Sequence, residues 1–251
     1  MSFGRPDLGG RTALVTGAAR RLGRHLAEEL AACGATVFVH FHRSESEAAR
    51  VVDGIVRRGG RAYPVQADLL DPDAADGILR AVADATGRLD VLVNNVGNYP
   101  RGPVEESTPA EWRETLEANL IAPLALSQAA LAHFPPEGGQ IVNIGYAGVD
   151  LLRPNPNATA YQVSKTGLLI LTKSLAQRLG PRGVRVNMIS PGQLENSVDL
   201  PAEDELAARI PLGRPGRLED ISRALLFLLQ PDSYVTGVNL DVAGGYRPPS
   251  R

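Results

Sequence analysis

Tyr161 and Lys165 are the residues whose types and spacing most directly indicate chemistry. They are four residues apart near the start of a long apolar-periodic stretch, so on a helix both side chains project from one face. An ammonium close to a phenol favours the phenolate and lowers a phenol pKa that is ordinarily about 10. The pair is therefore interpreted as a proton donor and its electrostatic modulator. An ordinary exposed Tyr and Lys pair is the alternative, and only the rest of the chain decides between them.

Lysine usage supports a special role for Lys165. The chain has 26 Lys plus Arg residues, of which only Lys165 and Lys173 are lysines. A compact ammonium on a flexible stem can bind ribose hydroxyls beneath a ring, which a planar guanidinium does less well. The choice of Lys four residues after a Tyr therefore favours a ribose-binding ammonium.

The elements that must position this pair begin with a strand, a turn and a helix. Residues 12–16 form an apolar run without polar alternation, which is typical of a strand buried on both faces of a parallel sheet. A helical stripe of leucines follows the turn and stops at Gly34. Such a turn presents free backbone N–H groups at a helix N-terminus, which predicts a phosphate-binding site. The candidate residues of the turn are Gly17, Arg20, Arg21, Leu22 and Gly23.

The end of the second predicted strand, residues 35–41, indicates which dinucleotide would bind. His42, Arg43 and Ser44 follow it, and no acid precedes them there. An acid about 20 residues past the glycines suits the ribose 2′-hydroxyl of NAD, whereas an Arg suits a 2′-phosphate. With the two arginines of the turn, this segment predicts NADPH, and a solvated strand end is the alternative. Ser44 is also expected to cap the next helix, with Glu47 as its capping-box partner.

Four further strands are predicted over 62–66, 89–93, 140–144 and 184–189. The residues of interest that follow them are Asp68 and Leu69, then Asn95, Val96 and Gly97, then Tyr146, and finally Pro191 and Gly192. Because the carboxyl ends of parallel strands meet at one edge of a sheet, all of these are expected around one site. Asp68 is suited either to the adenine amino group or to capping the next helix, and both interpretations stay open.

Strands alternate with helices through residues 1–251, with no second domain, internal repeat or low-complexity tract. This order predicts one α/β domain, a doubly wound parallel sheet of about seven strands (Rossmann fold) with helices on both faces. The last strand is predicted over 237–242. A helical stretch over 109–133 carries Asn119 and an expected kink at Pro123. Residues 193–216, acidic and interrupted by prolines, are expected to form a mobile lid.

Composition argues against several classes of protein. The formal net charge of −2 gives no electrostatic case for nucleic acid. The single cysteine, Cys33, cannot form an internal disulfide, and the N-terminus lacks a signal pattern, so a cytoplasmic location is expected. No apolar run reaches the roughly 18 residues of a membrane span. The four histidines are not grouped at metal-ligand spacing, so no metal is expected, and the partner is predicted to be a small-molecule substrate.

Taken in order, these motifs resemble the short-chain dehydrogenase/reductase family over nearly the full chain. The matching residues are Thr16-Gly17 with Gly23, Asp68-Leu69, Asn94-Asn95 with Gly97, Asn119, Tyr161 with Lys165, Pro191-Gly192, and Val235-Thr236-Gly237 with Gly244-Gly245. The resemblance implies that Tyr161 is the general acid, that Lys165 holds the nicotinamide ribose and lowers the Tyr pKa, and that Asn119 holds a water in a proton relay. It implies cofactor contacts at Asn95, Gly97, Pro191 and Gly192. It also implies a homo-oligomer, dimer or tetramer.

Two departures from the family pattern matter. Arg21 replaces the middle glycine of the turn, and this turn together with the His-Arg-Ser segment resembles the pteridine reductase branch, in which both segments hold NADPH. Tyr99 falls where that branch stacks an aromatic ring on the pterin. The carbonyl-polarising Ser of the family is absent, because its position is Gly148 by spacing and Gly145 or Tyr146 by strand alignment. The Tyr146 hydroxyl can donate and is the candidate substitute, with simple packing as the alternative.

Three functions follow as hypotheses. The first is an NADPH-dependent reductase that transfers a hydride to a C=N or C=O carbon of a small substrate, favoured pteridine-like, with Tyr161 as proton donor. The second is a 3-oxoacyl-(acyl-carrier-protein) reductase or general carbonyl reductase. The third is a non-catalytic NADPH-binding sensor, against which the intact set of Tyr161, Lys165 and Asn119 counts.

Overall fold

The computed structural model describes residues 4–195 and 209–246. Within these residues the strands are β1 (Thr12–Val15), β2 (Thr36–Phe41), β3 (Arg61–Gln66), β4 (Val91–Asn94), β5 (Gln140–Ile144), β6 (Arg185–Pro191) and β7 (Asn239–Val242). They form one sheet in the order β3-β2-β1-β4-β5-β6-β7, and each neighbouring pair is parallel. The predicted doubly wound α/β fold is confirmed. Strand order reverses between β1 and β4, where such sheets bind ligands.

Helices cover both faces of this sheet. They are α1 (Arg21–Ala32), α2 (Glu45–Arg57), α3 (Ala74–Thr86), α4 (Pro109–Leu116), α5 (Ala122–Ala130), α6 (Thr159–Leu179) and α7 (Leu218–Leu228). One apolar cluster joins the sheet to α1, α2 and α7, and a second joins it to α3, α5 and α6. In β1, Val15 belongs to the first cluster and Leu14 to the second, which explains why the strand carries no polar alternation.

The predicted helix over 109–133 is interrupted. Between α4 and α5 lies a π-helical turn, Glu117–Ile121, which contains Asn119. Pro123 occupies the first turn of α5 and has no N–H to donate to the carbonyl four residues earlier, that of Asn119, which favours the wider turn. The expected kink at Pro123 therefore takes the form of a π turn centred on Asn119.

The capping prediction for Ser44 is wrong, and of the two interpretations left open for Asp68 the capping one is excluded. Ser44 occupies the N-cap of α2, but in the described part of the chain its side chain makes no capping hydrogen bond, and Glu47 binds Arg20 instead. Asp68 does not cap α3, because that helix begins at Ala74 with Asp73 as its N-cap. The predicted lid falls largely on residues 196–208, which lie outside the described residues.

Candidate active site

Lys165 lies on α6 beside the carboxyl end of β5. Its Nζ donates to the carbonyl of Ile144 at 2.8 Å and lies 6.0 Å from the centroid of the Tyr161 ring. The two side chains therefore share a face of α6, as their spacing predicts. Only 4% of Lys165 is exposed, and this burial lowers its pKa to about 8. The ammonium still carries its proton at neutral pH.

Burial of Tyr161 raises its pKa above the ordinary value of a phenol, and the nearby phenols of Tyr99 and Tyr146 add to the rise. The expected lowering of this pKa by Lys165 does not appear, and the direction is the opposite. The physical reason is that burial disfavours the charged phenolate. Tyr161 is consequently protonated at neutral pH, which is the form a proton donor requires.

Three tyrosine rings meet at this edge of the sheet. The Tyr99 ring packs edge-on against Tyr161 with centroids 4.6 Å apart, and the Tyr146 ring lies tilted with its centroid 5.6 Å from that of Tyr161. Tyr99 is 48% exposed, so about half of this residue is accessible to solvent. The structure thus brings together both predicted substrate residues and the predicted proton donor.

Asn119 is fully buried in the π turn and uses its side chain to hold the loop after β4. Its Oδ1 accepts from the backbone N–H of Asn98 at 2.9 Å, and its Nδ2 donates to the Asn98 carbonyl and to Ser164 Oγ, both at 3.0 Å. A Cβ on Gly97 would lie 3.0 Å from Asn119 Oδ1 and 3.3 Å from Lys165 Nζ. Asn119, Gly97 and Lys165 therefore adjoin one another, and the glycine leaves the space between them free.

The turn after β1 is held against the loop after β4. Thr16 Oγ1 accepts from the N–H groups of Asn95 and Val96, and Asn95 Nδ2 donates to the Thr16 carbonyl at 2.9 Å. Gly17 has φ +62°, and a Cβ on Gly23 would lie 2.3 Å from the Gly17 carbonyl oxygen. Both glycines are therefore required by the backbone geometry of this turn.

Arginines surround a cavity of about 250 Å³ at the start of α1. Its lining residues are Ala19, Arg20, Arg21, Arg24, Glu47 and Arg50. Arg21 adopts φ +48°, a left-handed conformation that glycine enters freely and that strains a side chain. Arg20 Nη2 contacts Glu47 Oε1 at 2.5 Å, so one carboxylate stands among four guanidinium groups. Such a cavity suits an anion of more than one charge.

The remaining predicted residues lie at the same edge. His42 Nε2 is 3.5 Å from Asp68 Oδ2, and Asp68 Oδ1 accepts from the Leu70 N–H at 3.1 Å in a turn that includes Leu69. Arg43 is exposed and Ser44 is half-buried. At the end of β6 the Pro191 carbonyl accepts from the N–H of Ala147, and the Gly192 N–H donates to Val242.

His40 is a site-supporting residue that the sequence prediction missed. Its Nδ1 accepts from the Gly17 N–H at 3.1 Å and its Nε2 lies 3.2 Å from the Ala67 carbonyl, so the neutral ring links three strand ends. Burial lowers its pKa to about 4, which keeps it neutral at physiological pH. The signal for it is the single ionisable residue within the fully buried strand β2.

Among residues 4–195 and 209–246, no group of three or more His, Cys, Asp or Glu side chains is placed to hold a metal ion. No helix in those ranges is long and apolar enough to cross a bilayer.

The chain is similar to known proteins over nearly its full length. The family model described as enoyl-(acyl carrier protein) reductase matches residues 17–247. An uncharacterized oxidoreductase of Methylorubrum extorquens is 38% identical over 248 residues, 96% of this chain and 99% of the relative. The 3-oxoacyl-(acyl-carrier-protein) reductase FabG of Vibrio cholerae is 34% identical over 245 residues, 95% of this chain and 98% of the relative.

Solved structures give the same result. A short-chain dehydrogenase from Burkholderia cenocepacia, crystallised in complex with NADP, has a TM-score of 0.89 and 35% identity over 95% of this chain and 98% of that chain. The protein is thus an α/β oxidoreductase. The chain belongs to the short-chain dehydrogenase/reductase family, which confirms the family resemblance of its motifs.

Proposed function

We propose that the protein is an NADPH-dependent reductase that acts on a C=O or C=N carbon of a small planar substrate, with Tyr161 as proton donor. The observation that carries the proposal is the Tyr161 phenol, kept protonated by burial and enclosed by the rings of Tyr99 and Tyr146. NADPH, when bound, supplies the hydride, so the protein itself must supply a proton and stabilise developing negative charge.

The residues of the glycine turn and the arginine cavity fit such a cofactor. Gly17 and Gly23 leave the backbone free of side chains where a pyrophosphate would approach. The arginine cavity offers guanidinium groups for a 2′-phosphate, and the NADP complex of the Burkholderia relative supports that choice. The proposed cofactor residues are Gly17, Arg20, Arg21, Leu22, Gly23, His42, Arg43, Ser44, Asp68, Leu69, Asn95, Val96, Gly97, Lys165, Pro191 and Gly192.

Each catalytic residue has a separate role in the proposal. Tyr161 donates its proton to the oxygen or nitrogen that gains charge when the substrate is reduced. Lys165, still charged at neutral pH, holds ribose hydroxyls and stabilises the phenolate that remains after proton transfer. Asn119 holds the Asn98 backbone, and the side-chain amide of Asn119 lies beside Gly97 and Lys165. This position suits a water-mediated proton relay.

The tyrosine rings favour a planar substrate, of which a pteridine is the leading example. Tyr99 offers a half-exposed ring beside the proton donor, and stacking on such a ring suits a flat heterocycle. The second candidate is a 3-oxoacyl thioester or another carbonyl compound, which the similarity to FabG of Vibrio cholerae supports. A non-catalytic sensor is disfavoured, because the set of Tyr161, Lys165 and Asn119 is assembled at one edge of the sheet.

Location and assembly remain predictions of the same proposal. We propose that residues 1–251 act as one NADP-binding unit, because a single sheet draws strands from residues 12–242. A homodimer or homotetramer in the cytoplasm is the expected form.

Replacing Tyr99 with Ala tests the planar-substrate proposal. We expect Tyr99→Ala to raise KM for a dihydropterin by about 3- to 10-fold, because an aromatic contact contributes roughly 0.5–1.5 kcal/mol beyond its buried area. KM for an acetoacetyl thioester should stay within about twofold, since that substrate has no ring to stack. Steady-state kinetics with both substrates measure the effect.

Tyr99→Phe is the matched control, because it keeps the ring and should keep KM for the pterin. Equal increases in KM for the pterin and the thioester would remove the stacking role and favour the acyl substrate.

A further inference from the structure

Gln162, the residue after Tyr161, has a side-chain amide whose hydrogen-bonding groups are held on three sides. Its Oε1 accepts from the backbone N–H of Asn155 at 2.6 Å, and its Nε2 donates to the Arg153 carbonyl at 2.7 Å. A backbone N–H requires an oxygen opposite it, and a carbonyl requires an N–H. The two bonds therefore fix which end of the amide is oxygen and which is nitrogen.

The second N–H of Gln162 determines how the Tyr146 hydroxyl is used. Nε2 lies 3.3 Å from Tyr146 Oη, and an amide nitrogen can only donate there. Tyr146 Oη accordingly accepts from Gln162, and the Thr166 hydroxyl lies close enough to interact with it. A hydroxyl whose oxygen is occupied as an acceptor has its own proton left to donate.

Of the described residues at the ends of β5 and β6, neither Gly145 nor Ser190 is placed to supply this hydroxyl. A Cβ on Gly145 would lie 2.6 Å from Ser190 Oγ and 2.7 Å from Met188 Sδ, so a Ser does not fit there. Ser190 Oγ is itself engaged with Asn239 Oδ1 at 2.6 Å. Tyr146, directly after Gly145 and with its ring centroid 5.6 Å from that of Tyr161, is the next residue that can present a hydroxyl.

We propose that Gln162 is a positioning residue for Tyr146. By donating to the Tyr146 hydroxyl it leaves the proton of that hydroxyl to bind the substrate oxygen or nitrogen, which is the role of the Ser that this chain lacks. The inference rests on the proposed function and deepens it. Tyr146 stabilises the charge that develops on the atom to which Tyr161 gives its proton, and no covalent bond to the protein forms. The role extends to the loop before α6, because the carbonyl of Arg153 and the N–H of Asn155 orient the amide.

Gln162→Glu tests the direction of this hydrogen bond with almost no change in size. A carboxylate accepts a hydrogen bond from the Tyr146 hydroxyl and so turns that hydroxyl away from the substrate, and it cannot donate to the Arg153 carbonyl. We expect kcat at pH 8 to fall by roughly tenfold, which is less than the effect of removing a hydrogen-bond donor outright. The NADPH dissociation constant should be unchanged. The loss should shrink toward pH 5, because a half-buried Glu facing the Arg153 carbonyl protonates above its ordinary pKa of about 4.3.

Tyr146→Phe separates positioning from a merely structural effect. Alone, it should lower kcat by about 10²- to 10³-fold. In that background Gln162→Glu should have less than about twofold further effect, because the hydroxyl it positions is gone. Gln230→Glu is the matched control, since Gln230 Nε2 also donates to a backbone carbonyl, that of Gly4, far from the tyrosines. An equal loss from Gln162→Glu with and without Tyr146 overturns the inference.

A measurement without substrate keeps this inference separate from the proposed function. The ¹³Cζ resonance of Tyr146, assigned by its absence in Tyr146→Phe, should shift in Gln162→Glu, because the hydroxyl changes from accepting to donating toward residue 162. An unchanged resonance overturns the inference whether or not the protein reduces any substrate. Absence of turnover together with the expected shift would count against the proposed reductase and leave the positioning by Gln162 supported.

Discussion

Tyr161→Phe is expected to lower kcat by about 10²- to 10⁴-fold, the usual contribution of a positioned general acid. The change removes one hydroxyl and leaves the ring contacts with Tyr99 and Tyr146. We therefore expect the fold and the NADPH dissociation constant to be unchanged. Stopped-flow measurement of NADPH consumption, with cofactor binding followed separately by fluorescence, resolves the two effects.

The matched control for this prediction is Tyr63→Phe. Tyr63 is an exposed residue of β3 that stacks on Phe38, remote from α6, and its variant should keep full kcat. If Tyr161→Phe kept kcat within about threefold of the unmodified protein, another group would be the proton donor.

Arg20→Ala is expected to raise the NADPH dissociation constant by about 10- to 100-fold and that of NADH by less than about threefold. Hydrogen bonds to charged groups contribute roughly 1.5–3 kcal/mol, and only NADPH carries the 2′-phosphate. The reverse change is expected for Glu47→Gln, because Glu47 pairs with Arg20 and places a negative charge in the arginine cavity. Its removal should tighten NADPH by about 2- to 5-fold.

Fluorescence titration of both cofactors tests this opposing pair of variants. Arg182→Ala is the control, because Arg182 donates to the Leu131 carbonyl well away from α1. If Arg20→Ala raised the dissociation constants of NADH and NADPH equally, Arg20 would support the turn and would not bind the 2′-phosphate.

Local sequence was sufficient to predict the sheet and the edge at which the site forms. Strands such as β1 and β2 are short, apolar on both faces and followed by glycine or polar residues, so their carboxyl ends could be located without a structure. The shared face of Tyr161 and Lys165 likewise depends only on helical spacing.

Features that depend on contacts between distant segments could not be predicted in this way. The pKa of Tyr161 rises because the fold buries its hydroxyl, and because the phenols of Tyr99 and Tyr146, from two other loops, lie close to it. The local Ser44 and Glu47 pattern indicated a capping box, whereas the adjacency of β1 and β2 brings Arg20 to Glu47. Gln162 follows Tyr161 in the sequence, but this position alone does not indicate that its amide is held by Arg153 and Asn155.

NADPH oxidation by the purified protein, run in parallel with a dihydropterin and an acetoacetyl thioester, tests the proposed function most directly. The proposal predicts turnover that requires NADPH in preference to NADH, favours the pterin, and is lost in Tyr161→Phe. Turnover of the thioester alone would retain the reductase and replace the planar substrate with an acyl chain. NADPH binding without oxidation by either substrate, or turnover unaffected by Tyr161→Phe, would contradict the proposed reductase with Tyr161 as its proton donor.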